Sequence, residues 1–265
     1  MGIFEHFRLE DKVALVTGAG KGIGAGIARA LAEVGATVVL AARTRTDLEA
    51  VASEVEALGS RALVVPTDVL DYTQLQALVE RSAETFGRLD VLVNNAGGFP
   101  PRPALQTSAR DLESAFRFNV GTAFELSRLC APMLAESGQG AILNISSIAG
   151  HKPTPCFAAY GTAKGALSLL TRELAQEFAP RIRVNAIAVG STRTDALDTV
   201  LTEEIEQTMV ELTPMARLGE VEDIALGALY LCSPAASYVT GEILGVNGGM
   251  ERLNMQMPRA WGGVG

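Results

Sequence analysis

The sequence predicts an α/β protein with a single-domain Rossmann-type fold, a doubly wound parallel sheet of about seven strands with helices on both faces. Short apolar, partly β-branched runs alternate with stretches whose apolar residues recur at helical spacing. A glycine-rich turn also separates the first such run from the first helical stretch. Because no repeat, low-complexity tract or linker interrupts the 265 residues, we expect one domain over 1–265.

Individual elements follow from the same patterns. The runs predicted as strands cover 12–17, 36–42, 61–66, 89–93, 141–146, 182–188 and 241–247. The stretches predicted as helices cover 22–34, 73–86, 109–136, 159–178 and 221–231. A polar, acidic stretch at 194–212 is predicted to be a mobile substrate flap. The tail at 250–265, rich in Gly, Pro and Met, is predicted to dock or to order only in an assembly.

Composition argues against several classes of function. Asp and Glu outnumber Lys and Arg by 30 to 22, so neither a nucleic-acid surface nor a polybasic membrane patch is expected. No apolar run reaches about 18 residues, and the charged start lacks the apolar core of a signal peptide. Cys130, Cys156 and Cys232 are widely spaced, which predicts free thiols in a cytoplasmic protein. With only two histidines, His6 and His151, no metal site is expected.

The glycine-rich turn predicts a dinucleotide site. Gly18, Gly22 and Gly24, with Lys21 and Ile23 between them, lie between a strand and a helix. In that setting backbone N–H groups at the helix start point at a phosphate, and the missing Cβ atoms let the pyrophosphate approach. The spacing is G-x-x-x-G-x-G, and a plain tight turn is the alternative interpretation.

The end of the second predicted strand bears on the choice of cofactor. In sites that prefer NAD an acid at this point holds the ribose 2′-hydroxyl, but here no acid occurs before Asp47. Arg43 and Thr44, with Lys21 from the glycine turn, instead suit a 2′-phosphate. We therefore expect NADP(H) to be favoured over NAD(H). The alternative is that Arg43 is a solvated loop charge.

The residues from 147 to 164 predict proton-transfer chemistry. Ser147 follows a strand, and Tyr160 and Lys164 lie four residues apart near a helix start, so they share one face. A cation about 4 Å from a phenol at an effective dielectric near 20 would lower its pKa by about 3 units, towards 7. By itself such a pair is usually structural. Asn119 is a polar residue in a helical run, either facing solvent or held by a partner at a site.

Taken together, these residues resemble the short-chain dehydrogenase/reductase family over nearly the whole chain. The resemblance rests on the glycine turn after Thr17, Asp68, Asn94-Asn95-Ala96-Gly97, Asn119, Ser147, Tyr160-x-x-x-Lys164 and the strand at 183–187. It implies that Tyr160 is the general acid or base, that Lys164 lowers its pKa and holds the nicotinamide ribose, and that Ser147 orients the carbonyl. It further implies that Asn119 anchors a water leading to Lys164. Additional cofactor contacts implied by it are Asp68, Val69, Asn95, Ala96, Gly97, Gly190 and Thr194.

Within that family, bacterial 7α-hydroxysteroid dehydrogenases are similar over 94–98, 194–197, 204–207 and 231–237. The expected substrate is a small carbonyl compound or alcohol, steroid-like or otherwise hydrophobic. The alternatives are a 3-oxoacyl-[acyl-carrier-protein] reductase and a non-catalytic NADP-binding sensor. Family members are usually tetramers, so we expect a homotetramer, with a dimer as the alternative. One departure is Val189, which stands where the family usually has proline and leaves the backbone freer.

Overall fold

The fold is built on one parallel sheet of seven strands. In the computed structural model, which describes residues 2–199 and 201–262, the strand order is β3-β2-β1-β4-β5-β6-β7. The strands are β1 Val13–Thr17, β2 Thr37–Ala42, β3 Ala62–Pro66, β4 Val91–Asn94, β5 Gly140–Ser147, β6 Ile182–Val189 and β7 Ile243–Val246. All neighbouring strands pair in parallel, and every predicted strand is present within a few residues of its predicted bounds.

The helices cover both faces of the sheet, as predicted. They are α1 Gly22–Glu33, α2 Arg45–Ala57, α3 Tyr72–Phe86, α4 Ala109–Phe116, α5 Thr122–Glu136, α6 Ala158–Phe178, α7 Asp195–Asp198, α8 Glu203–Glu211 and α9 Val221–Cys232. Apolar residues of α1, α2 and α9 pack on one face of the sheet, and those of α3, α5 and α6 pack on the other. Alternate strand residues supply the two cores, and β1 contributes Leu15 to one and Val16 to the other.

The order of the strands determines where a ligand can bind. The chain runs outward from β1 through β2 to β3, then returns to the other side of β1 to form β4. At such a reversal the loops after the two central strands diverge and leave a crevice at their carboxyl ends. The turns after β1 and β4 lie at this crevice, and β5 ends beside it at Ser147.

The predicted helix at 109–136 is present as one helical stretch, but it contains a π-helical turn. It consists of α4 and α5 joined by a π-helical turn at Arg117–Gly121. A π-helical turn adds one residue to the helix, and such turns are frequent at functional sites. Asn119 lies in this turn, which explains how a residue of low helix propensity comes to face the protein interior.

A polar ladder in the core joins four elements beneath the crevice. The Asn94 amide donates to Asn144 and Ser127, and the Asn144 amide donates to Thr171. These side chains belong to β4, α5, β5 and α6, and all are buried. Because each amide has a partner, the ladder fixes the relative position of elements that carry site residues.

The predicted flap and tail both have defined structure where they are described. The stretch at 194–212 contains α7 and α8, and Val200 lies outside the described residues. The tail packs against its own chain up to Pro258, and residues 263–265 lie outside the described part. Cys130, Cys156 and Cys232 are free thiols, as predicted.

Candidate active site

Ser147, Tyr160 and Lys164 meet at the carboxyl edge of the sheet. Ser147 is the last residue of β5, while Tyr160 and Lys164 lie in the first two turns of α6. The Ser147 hydroxyl lies close enough to the Tyr160 phenol to favour its ionised form, and it accepts a hydrogen bond from Ala149 N–H at 3.1 Å. The Lys164 ammonium lies 5.7 Å from the centroid of the Tyr160 ring. The structure therefore brings together the three residues that were predicted to transfer a proton.

Burial dominates the electrostatics of this group. Lys164 is only 4% exposed, and its Nζ donates to the Ile145 carbonyl at 2.7 Å. Desolvation lowers the pKa of Lys164 to about 8. Burial raises the pKa of Tyr160, and the nearby Ser147 hydroxyl offsets only part of this rise. The prediction that Lys164 lowers the Tyr160 pKa towards 7 is therefore wrong for this structure, because desolvation of the phenol dominates and raises its pKa.

Asn119 is held from both sides by backbone groups. Its Oδ1 accepts from Gly98 N–H at 2.9 Å, and its Nδ2 donates to the carbonyls of Gly98 and Ala115 at 3.0 and 2.8 Å. A Cβ added at Gly97 would lie 2.7 Å from Asn119 Oδ1 and 3.1 Å from Lys164 Nζ. Asn119 thus sits behind the loop after β4, close to the lysine but not on the wall of the cleft.

The glycine turn is fixed by the strand next to it. Thr17 Oγ1 accepts hydrogen bonds from the backbone N–H groups of Asn95 and Ala96, each at 3.0 Å. The Asn95 amide returns a bond to the Thr17 carbonyl at 2.9 Å. Gly18 has a φ of +64° and Gly22 one of +53°, a left-handed conformation that glycine adopts without steric cost. The turn therefore presents its backbone rigidly at the start of α1.

One cleft of about 560 Å³ connects the glycine turn to the Ser147–Tyr160–Lys164 group. It is lined by most of the predicted site residues, namely Gly18, Lys21, Ile23, Arg43, Thr44, Asp68, Val69, Asn95, Ala96, Gly97, Ser147, Tyr160, Lys164 and Gly190. Gly22, Gly24 and Thr194 do not line it. A Cβ at Gly24 would strike the Gly18 carbonyl, so this glycine permits the turn and helix to pack closely. Thr194 lies beside Gly22 and caps α7.

The outer end of the cleft carries both signs of charge. Lys21 pairs with Asp47 at 3.4 Å, and Asp47 is itself part of the lining. Arg43 is exposed, and within the described residues it makes no ion pair or hydrogen bond that would neutralise it. Thr44 precedes α2 without using its hydroxyl as a cap. The guanidinium and the hydroxyl are therefore available to an anionic ligand, whereas the Lys21 charge is partly offset.

Sequence reasoning missed several lining residues. They are Gly20, Ala42, Asp47, Thr67, Leu70, Phe118, Ile145, Ser146 and Val189. Most are apolar or small, and only the packing of distant strands places them at the cleft. The Ser146 hydroxyl is used structurally, since it hydrogen-bonds with the Lys164 carbonyl and with Ser168. The role of Thr17 in holding the loop after β4 could have been predicted, because its hydroxyl lies at the end of a strand directly before the glycine turn.

The residues present fit a nicotinamide dinucleotide. The turn before the 12-residue α1 offers backbone N–H groups and a left-handed Gly18 where a pyrophosphate would approach. Arg43 and Thr44 stand at one end of the cleft, and the Tyr160 and Lys164 polar groups at the other. Among residues 2–199 and 201–262 there is no cluster of His, Cys, Asp and Glu able to hold a metal ion. No helix in that part is both long and apolar enough to cross a membrane.

Comparisons with known proteins agree with this geometry. The family model adh_short_C2, described as Enoyl-(Acyl carrier protein) reductase, matches residues 18–251. An uncharacterised oxidoreductase of Mycobacterium tuberculosis is 47% identical over 258 residues, covering 97% of this chain and 98% of that protein. The 7α-hydroxysteroid dehydrogenase of Escherichia coli K12 is 42% identical over 252 residues, covering 94% and 98%. A solved 7α-hydroxysteroid dehydrogenase complexed with NADH and 7-oxoglycochenodeoxycholic acid superposes with a TM-score of 0.90 at 42% identity, covering 94% and 98%.

Proposed function

Because the chain belongs to the short-chain dehydrogenase/reductase family, and is thus an NAD(P)-dependent oxidoreductase acting on CH–OH groups, we propose that it transfers a hydride between NADP(H) and a hydrophobic ketone or secondary alcohol. The observation that carries the proposal is that Ser147, Tyr160 and buried Lys164 meet at the inner end of a cleft that begins at the glycine turn.

Each side chain has a distinct task in this proposal. The nicotinamide, when bound, supplies the hydride to the carbonyl carbon. Tyr160 donates a proton to the carbonyl oxygen in reduction, and burial supports this role because it keeps the phenol protonated at neutral pH. Ser147 holds the same oxygen by a hydrogen bond. Lys164 places a buried cationic group beside the ring, and Asn119 supports it through the loop at Gly97.

Replacement of Tyr160 by phenylalanine tests the role of the phenol. Tyr160→Phe removes only the proton donor, so we expect turnover of a ketone with NADPH to fall by at least about 100-fold. The dissociation constant for NADPH, measured by fluorescence titration, should change little. Tyr238→Phe, which alters a fully exposed tyrosine, is the matched control. Wild-type turnover in Tyr160→Phe would rule out the phenol as the acid.

The preference for NADP(H) depends on Arg43. Its unneutralised guanidinium and the adjacent Thr44 hydroxyl support recognition of a 2′-phosphate, in keeping with the lack of an acid at the end of β2. Arg43→Asp should therefore weaken NADPH binding and strengthen NADH binding, inverting the preference. Arg45→Asp is a control of equal charge change, because Arg45 pairs with Glu49 and does not line the cleft. Equal affinity of the native protein for the two cofactors would contradict this assignment.

A hydrophobic, steroid-like compound is the substrate class best supported, since relatives at 42% identity are hydroxysteroid dehydrogenases. The carrier-protein reductase alternative would need cations to dock an acidic carrier, and the chain has a net charge of −8. A non-catalytic NADP-binding sensor, the other alternative, would not need the group of Ser147, Tyr160 and Lys164. A panel of hydroxysteroids, simple ketones and 3-oxoacyl thioesters assayed with NADPH separates these functions.

A further inference from the structure

The loop after β3 forms one part of the cleft wall, at the edge of the sheet. Asp68, Val69 and Leu70 of this loop line the cleft. β3 is the outermost strand and pairs only with β2, so the loop has a neighbouring strand end on one side alone. Within the loop, the Asp68 carboxylate accepts from Leu70 N–H at 3.0 Å, and Asp68 N–H donates to Gln74 Oε1 at 2.9 Å. These bonds fix the shape of the loop but not its distance from the rest of the wall.

The π-helical turn contributes another part of the cleft wall. Phe118 of this turn lines the cleft. The next residue, Asn119, is hydrogen-bonded to both backbone groups of Gly98 in the loop after β4. The turn therefore has a fixed position relative to the central strands of the sheet, whereas the loop after β3 lies at the edge.

Arg117 connects these two parts of the wall. Its Nη2 donates to the Leu70 carbonyl at 2.9 Å, and its guanidinium carbon lies 5.5 Å from the centroid of the Tyr72 ring. A guanidinium can make both kinds of contact at once, because it donates from its edge and stacks on aromatic rings with its face. In the described part of the chain, no other hydrogen bond joins residues 67–72 to the π-helical turn, and no carboxylate pairs with Arg117. The link between the two parts therefore depends on one side chain.

We propose that Arg117 is a positioning residue for the cofactor, which ties the loop after β3 to the π-helical turn so that both parts of the wall are in place before the cofactor binds. This inference rests on the proposed function, in which the cleft holds NADP(H). A wall that is ordered in advance removes an entropic cost that binding would otherwise have to overcome. Arg117 does not itself line the cleft, so it acts through Leu70.

The effect of Arg117 should be confined to cofactor affinity. Asn119, two residues further along the turn, has its own hydrogen bonds to Gly98 and Ala115, which do not involve the guanidinium. Lys164 is likewise held by the Ile145 carbonyl. The inner end of the cleft therefore keeps its geometry without Arg117, and the proton-transfer step should be unaffected once the cofactor is bound.

Arg117→Met tests this role, because it removes the donor and the charge and leaves an unbranched side chain at an exposed position. We expect the dissociation constant for NADPH, measured by fluorescence titration, to rise at least about fivefold, since a hydrogen bond from a charged group is lost. The kcat at saturating NADPH should stay close to the wild-type value. Arg117→Lys, which can still donate to the Leu70 carbonyl, should recover most of the affinity. Arg110→Met, which removes an exposed arginine of α4 that does not line the cleft, is the matched control.

Two results would overturn the inference. One is an NADPH dissociation constant that is the same in Arg117→Met as in the wild type, whatever the change in melting temperature, because Arg117 would then have only a structural role. The other is an equal loss of affinity in Arg110→Met, because the loss would then reflect positive charge and not position. The titration does not depend on turnover. If the wild type binds NADPH but reduces no ketone, the proposed reaction fails, while the affinities of the variants still decide the role of Arg117.

Discussion

Lys164 shows most directly how the proposed function conflicts with stability. It is a buried amine without a carboxylate partner in the described residues, held by the Ile145 carbonyl. Removing it from water disfavours the charged form, which is why its pKa falls from 10.5 to about 8. A position that served only packing would not need a buried amine. Its presence at the inner end of the cleft supports a role in chemistry.

Lys164→Met should change how stability depends on pH. Between about pH 8 and 10.5 the folded wild type has lost the proton that the unfolded chain still binds, so its free energy of unfolding rises with pH. From pH 8 to 9.5 this gain amounts to roughly 2 kcal/mol at about 1.4 kcal/mol per pH unit. The variant lacks this contribution.

Urea unfolding of both proteins at pH 7, 8 and 9.5 measures the difference. Lys152→Met, which removes an exposed lysine, provides the background for lysine loss. If the unfolding free energies of the wild type and of Lys164→Met change in parallel over this pH range, the lysine is not desolvated.

Single-residue predictions from the sequence succeeded where a side chain follows a strand and failed where packing decides. Ser147 was placed at the cleft because it ends a buried strand, and the structure confirms that position. The Tyr160 pKa was predicted in the wrong direction, because burial raises it and a sequence does not show how deeply a side chain is buried. Val189 continues β6 between Ser147 and Val246, a position where proline would remove a ladder donor.

At the scale of elements, the π-helical turn and the loop after β4 position the site jointly. Asn119 bonds both backbone groups of Gly98, and Gly97 leaves just enough room for Asn119 Oδ1 and Lys164 Nζ to approach the loop. Asn119 Nδ2 also donates to the Ala115 carbonyl, and Lys164 Nζ donates to the Ile145 carbonyl, so neither side chain can move away easily. The close approach of α6 to the loop after β4 therefore depends on a missing side chain.

Gly97→Ala should disturb this contact. The added Cβ would lie 2.7 Å from Asn119 Oδ1, so we expect a loss of about 1–3 kcal/mol in stability and a lower kcat. Gly121→Ala is the control in the same region, since its Cβ would meet only the end of the Tyr72 side chain and alanine favours a helix. Thermal unfolding and steady-state assays compare the two. A Gly97→Ala protein as stable and active as Gly121→Ala would show that the contact is not restrictive.

The elements differ in how well the sequence predicts them. Strands bounded by glycine and polar turns carry a strong local signal, and all seven were identified. The π-helical turn within the predicted helix at 109–136 carries no such signal, because it shifts the apolar pattern by only one residue. The helix α2 was implied only by the alternation of strands and helices, since its sequence is largely polar.

At the scale of the whole molecule, the contact between the tail and the segment before α6 was the least predictable feature. Residues 253–258 lie about a hundred positions from Cys156 and Phe157, against which the tail packs, and nothing in their composition names a partner. The same holds for the cleft. Its lining residues come from the ends of six of the seven strands, β1 to β6, and from the segments that follow them. Local periodicity predicts elements, whereas contacts between distant segments depend on how the finished sheet places their ends.

The proposed homotetramer belongs to this scale as well. Large apolar side chains are exposed on α4, α5 and α6, among them Phe116 at 48%, Phe124 at 44% and Leu169 at 55%. Leu126 and Cys130, which also lie on α5, are buried in the core of the chain and are not part of this exposed surface. Exposed apolar residues of this size on neighbouring helices favour association between copies.

Charges introduced on these helices should therefore separate the subunits. Phe124→Asp and Leu169→Arg place a charge where an apolar face would be covered, and desolvating that charge costs far more than the lost contact. We expect each variant to have a smaller solution mass than the wild type by sedimentation equilibrium. The melting temperature of the wild type should fall as the protein is diluted. Leu58→Arg, which changes an exposed leucine at the end of α2, should keep the wild-type mass. If the wild type is monomeric, or if both helix variants keep its mass, the association does not use these helices. An active monomer would then also mean that the cleft of a single chain suffices for turnover.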